Sequence, residues 1–176
     1  MVKKDNRGFS LIEMVIVIGI VVILASLLRA STYTLFSSST RNCAEKINAF
    51  IAKGRVDAMS RSGEILLVIG TDSEGVYGEY HDQNGLIGKR ERLGDTRVKL
   101  EAGATGMGSN VPLDSIALTL SFNRATGGLS VFGLGGSSKT SFDSGDAATI
   151  LVSSAGKPYK VTIVATTGKH KVVGMS

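Results

Sequence analysis

Glu13 is the only charged residue between Phe9 and Leu28, a stretch of twenty residues of which sixteen are apolar. A carboxylate in such surroundings must find a partner, reach water or take up a proton. Few other residues are spaced for chemistry. His81 and His170 are the only histidines, and neither stands in a ligand spacing such as HxxxH or CxxC. Cys43 is the only cysteine, so an intramolecular disulfide is excluded, and it reads as a small, part-buried helical residue. The segments Asp72-Ser-Glu74-Gly75, Asp82-Gln-Asn84-Gly85 and Asp143-Ser-Gly-Asp146 cluster oxygen ligands of the kind Ca²⁺ takes. The same residues make turns between strands for backbone reasons, and that is the reading preferred. Gly133-Leu-Gly135-Gly136-Ser137 lacks the Lys and the helix of a phosphate cradle. Lys157, Lys160, Lys169, His170 and Lys171 form a basic cluster that suits either nucleic-acid phosphates or a solvated strand edge. No catalytic group, cofactor or metal is expected.

The element that must carry Glu13 is a helix. Twenty helical residues from Phe9 to Leu28 rise about 30 Å, the thickness of a bilayer core. Fourteen of them are Phe, Leu, Ile or Val, which favours insertion by about 4–8 kcal/mol. Ionised Glu13 costs about 3 kcal/mol at the centre, and less near the end where it sits, so insertion wins. Lys3, Lys4 and Arg7 hold residues 1–8 on the cytoplasmic side and send the remainder outward. An ordinary secretory signal shares the basic start, but its apolar run is shorter and ends in small residues, which Ala25 to Ala30 do not supply.

Arg7-Gly8-Phe9-Ser10-Leu11-Ile12-Glu13-Met14 resembles the class III signal of type IV prepilins and type II secretion pseudopilins. The resemblance implies that a prepilin peptidase cuts between Gly8 and Phe9 and methylates the new amine of Phe9. Losing residues 1–8 removes three cations and one anion, so a formal charge of +5 becomes +3, too small to argue for a dedicated nucleic-acid binder. The new amine and Glu13 of one helix lie about 6 Å apart along the axis. In a bundle of staggered helices Glu13 meets the amine of a neighbouring chain instead, which gives it a registering role in assembly.

Beyond Arg29 the sequence describes a single head. Residues 31–43 are rich in Ser and Thr, which suggests a bent or loosened helix. Ala44, Ile47, Ile51, Gly54 and Ala58 then recur at helical spacing as one stripe of apolar and small residues, with Gly63 as a stop. Short runs of Val, Ile, Leu and Thr follow between Gly, Asp, Asn and Ser. They predict strands at 65–71, 76–80, 97–102, 116–123, 128–133, 149–153, 159–165 and 171–173. Segments 82–94 and 103–114 read as long surface loops. The expected fold is α+β and pilin-like: a long N-terminal helix, membrane-spanning in its first half, packed on an antiparallel β-sheet head. The expected divisions are a leader at 1–8, a transmembrane helix at 9–28, a helix extension and linker at 29–63, and a β-rich head at 64–176.

The body of the chain is similar to the GspH/FimT group of minor pilins and pseudopilins. The likeness lies in Ala52, Arg55, Ala58 and Arg61 before an apolar strand, then Ser121-Phe122-Asn123 with Gly127-Gly128, and Thr166-Thr167-Gly168 near the end. Many major pilins carry a C-terminal disulfide, and one cysteine cannot form it, which favours a minor subunit or pseudopilin and leaves a disulfide-free major pilin open. The resemblance implies a non-enzymatic subunit of a type II secretion pseudopilus or a type IV pilus. Its expected place is the bacterial inner membrane and then the filament, and its expected partners are other pilin-like subunits, the prepilin peptidase and lipid. The alternative it implies is a DNA-binding minor pilin of FimT type, acting through Lys157, Lys160, Lys169 and Lys171.

Overall fold

The computed structural model describes residues 10–175, with the backbone alone for residues 27–37. One helix, α1, runs unbroken from Leu11 to Ser60, about 75 Å at 1.5 Å per residue. The Ser/Thr-rich stretch belongs to it without a break, because mediocre helix formers still propagate a helix nucleated on both sides. Its end differs from the expected glycine stop. Arg61 turns to extended backbone at φ −96° and ψ 159°, its N–H donating to the Asp57 carbonyl, two residues before Gly63.

Eleven strands follow: β1 Leu66–Asp72, β2 Gly75–Asp82, β3 Gly85–Gly94, β4 Lys99–Ala104, β5 Val111–Pro112, β6 Leu118–Phe122, β7 Leu129–Leu134, β8 Ser137–Lys139, β9 Ala147–Ser153, β10 Tyr159–Val164 and β11 His170–Gly174. They form two antiparallel sheets rather than one, in the orders β3-β2-β1-β6-β7-β8 and β11-β10-β9-β4-β5. The helix contacts β3 at the edge of the first sheet and β11 at the edge of the second. The other two edges are short: β8 has three residues and β5 has two, one of them a proline. Such edges offer little to a stray strand.

Two expected loops are corrected. Segment 82–94 is mostly the ten-residue strand β3, paired with β2 from Asp82↔Gly85 to Val76↔Gly94. Segment 103–114 contains the end of β4 and all of β5. The apolar stripe of α1 holds: Ala44, Ile47, Ile51, Gly54 and Ala58 are all buried. Cys43 and Phe50 join them, and Cys43 is fully rather than partly buried, at 1% exposure. Gly54 is required by a close approach, since a Cβ there would lie 2.4 Å from Leu67 Cδ2 of β1. Tyr80 of β2 stacks on Phe50 at 4.3 Å between centroids and donates its hydroxyl to the Phe50 carbonyl at 2.8 Å.

The two sheets meet where α1 ends. Leu129 N–H donates to the Ala165 carbonyl at 2.7 Å, joining the start of β7 to the exit of β10. Over this seam lies Arg55, whose Nε donates to the Gly127 carbonyl at 2.8 Å and whose Nη2 donates to the Thr167 carbonyl at 3.0 Å. One helical side chain thus holds the β6–β7 turn of one sheet and the β10–β11 turn of the other.

Candidate functional site

The N-terminal part of α1 is unlike the rest. From Leu11 to Leu24 its large apolar side chains are exposed, Leu11 at 82% and Ile12 at 68%, and they point in every direction around the axis. A helix that is apolar all round is normally covered by a core, by other helices or by lipid. Here the head covers none of it. Glu13 lies in the first turn and is also exposed. Gly8 and Phe9 lie outside the described residues. The apolar run with described side chains, 11–26, rises about 24 Å, and among the described residues no helix is long and apolar enough to cross a membrane.

The C-terminal lysines divide. Lys160 of β10 faces Val173, and Lys171 of β11 faces Thr162. Val161 and Ile163 point inward, so Lys160 and Lys171 share the outer face of the second sheet. Lys169 stands two residues before Lys171, while Lys157 lies beside Gly174 at the other end of the hairpin. Among the described residues none of these four lysines has an ion pair, and exposed Val164 and Val173 lie between them. His170 points the other way, its Nδ1 2.9 Å from the Gly168 carbonyl.

The acidic turns are occupied by the protein itself. Asp72 receives Arg92 at 2.6 Å and Arg90 at 2.8 Å, and Glu74 pairs with Arg92. The Arg92 bond holds the Asp72 carboxyl below its ordinary range. Asp82 accepts the Asn84 N–H at 2.7 Å. Asp146 accepts Lys139 at 2.7 Å, the main cause of its lowered pKa. Among the described residues no group of three or more His, Cys, Asp or Glu is placed to hold a metal ion.

Cys43 is equally committed to packing. Burial pushes its thiol up to about 12, so thiolate is negligible at pH 8. Ellman's reagent at pH 8 is expected to leave the folded protein unlabelled and to label it in denaturant. Because the folded state keeps the proton longer than the unfolded chain, this residue's contribution to stability is intact below about pH 9. It is lost as the pH rises from there toward about 12.

Residues 3–28 match the family model of the prokaryotic N-terminal methylation motif. No curated protein and no solved structure matches the chain. The match covers the segment in which the structure shows an uncovered apolar helix with one carboxylate in its first turn. The chain therefore carries the N-terminal signature of type IV pilins and pseudopilins, which are structural subunits and not enzymes.

Proposed function

We propose that this chain is a prepilin-type minor subunit, cut between Gly8 and Phe9, methylated on the Phe9 amine, and held in the inner membrane by residues 9–28 until assembly. It then enters a type II secretion pseudopilus or a type IV pilus alongside other pilin-like subunits. The observation that carries this reading is the contrast within one continuous helix. One face of its upper part is buried in the head's own core, and its lower part is apolar on every side and covered by none of the described residues. A filament of such helices supplies the missing cover, and lipid supplies it beforehand. Within the class, the GspH/FimT group is favoured by the meeting of Arg55, Gly127 and Thr167 at one seam, since these residues carried that resemblance.

The DNA-binding alternative rests on Lys157, Lys160, Lys169 and Lys171, of which Lys157 lies apart at the other end of the hairpin. Three lysines interleaved with exposed valines form a short strip rather than a channel that tracks a backbone, so the structural role is preferred. Topology tests the proposal. In membranes washed with alkaline carbonate the chain should remain in the pellet, and protease added to spheroplasts should digest the head from outside. A head protected in spheroplasts, or a chain released by carbonate, would overturn the membrane-anchored reading.

A further inference from the structure

At the end of the head where α1 stops, an open cleft of about 590 Å³ runs between the 60–65 segment, the β2–β3 turn and Arg124. Arg61 and Arg124 both line it, and both are exposed. Every other arginine with a described side chain holds a partner. Arg41 pairs with Glu45, Arg55 with two carbonyls, Arg90 with Asp72 and Glu79, Arg92 with Asp72 and Glu74, and Arg97 with Asp95. Among the arginines with described side chains, Arg61 and Arg124 alone have no side-chain hydrogen bond or ion pair, and they open on the same space. A guanidinium presents a planar fork of donors suited to a carboxylate.

The remaining lining decides which kind of anion fits. Glu64 and Asp82 also face the cleft, each engaged by a neutral donor: Ser121 hydroxyl on Glu64 and Asn84 N–H on Asp82. A nucleic-acid strand, charged at every residue, would run past both carboxylates. A peptide brings its own N–H donors to them, one acidic side chain to the arginines, and an apolar side chain to the floor of Ile65 and Ile87. We infer that this distal cleft is a docking site for an extended peptide segment of a partner protein, one that brings a single acidic side chain to Arg61 and Arg124. The inference goes beyond the assembly role and uses no residue of the N-terminal helix below the head.

An array of hexapeptides of randomised sequence, probed with the labelled full-length protein in detergent, tests it. Retained peptides should be enriched in Asp or Glu beside an apolar residue. For the best of them, Arg61→Gln and Arg124→Gln should each weaken binding about tenfold, the scale of one charge-assisted contact. Both side chains are exposed, so circular dichroism should show both variants folded. Absence of acidic enrichment, or enrichment that persists in the double variant, overturns the proposal. So does a thymidine dodecamer that binds the parent through the same two arginines more tightly than the peptides do, which would make the cleft a nucleic-acid site.

Discussion

Glu13→Ala should leave the chain in the membrane and keep it out of filaments. The substitution removes the one charge from an apolar run and relieves up to about 3 kcal/mol of insertion cost, so the membrane fraction should hold steady or rise. The junction at Gly8 and Phe9 is untouched, and processing should continue. In the proposed assembly, what is lost is the anion that the amine of a neighbouring subunit would meet once lipid is excluded. Leaving one member of a buried ion pair alone costs about 3–5 kcal/mol, so incorporation should fall by more than tenfold. Glu13 stands exposed in the first turn of α1, where a neighbouring chain can reach it. Comparing membrane-bound and sheared filament fractions for parent and variant checks it. Equal incorporation would remove Glu13 from the assembly register.

The second large effect belongs to the seam of the head. Gly168 has φ +65°, and a Cβ built there would lie 1.9 Å from the Gly127 carbonyl oxygen and 2.7 Å from Arg55 Nε. The nearest obstacle is backbone, and it cannot retreat without carrying the β6–β7 turn off Arg55. Gly168→Val adds a left-handed conformation costing about 1–2 kcal/mol to overpacking of about 1–3 kcal/mol. A loss of about 3 kcal/mol should lower the melting temperature by roughly 6–12 °C in a chain of this size. Arg55→Met, which leaves both carbonyls without their donor, should destabilise by a smaller amount, about 2 kcal/mol. If both variants melt with the parent, the seam contributes little to joining the sheets.

What could be read beforehand follows from how each part is stabilised. The helix stripe at Ala44, Ile47, Ile51, Gly54 and Ala58 was legible because burial on one face imposes a 3.6-residue period. Most strands were legible because they are central and alternate cleanly, as in the buried Leu118 and Leu120 around Thr119. Strand β3 was not legible, because Lys89, Arg90, Glu91 and Arg92 look like a loop when read alone. Two of these charges are satisfied by Asp72 and Glu79 on neighbouring strands, and register shifts against β2 break the alternation. Strand β8 is three residues of Ser and Lys, with no apolar face to betray it. The role of Arg55 was hidden for a different reason. Its partners are main-chain carbonyls, so no complementary side chain marks them; only the diffuse likeness through Gly127 and Thr167 pointed there. The distal cleft was illegible too, since Arg61 and Arg124 are far apart in sequence and become a pair only through the fold.

The N-terminus of the mature protein is the measurement on which the prepilin reading stands. The chain is to be extracted from membranes of cells that make the processing machinery, and its intact mass and N-terminal peptide read by mass spectrometry. The expected product begins at Phe9 and is heavier by one methyl on the Phe9 amine. A product beginning near Ser31, as ordinary signal cleavage would leave it, or one still beginning at Met1, contradicts it.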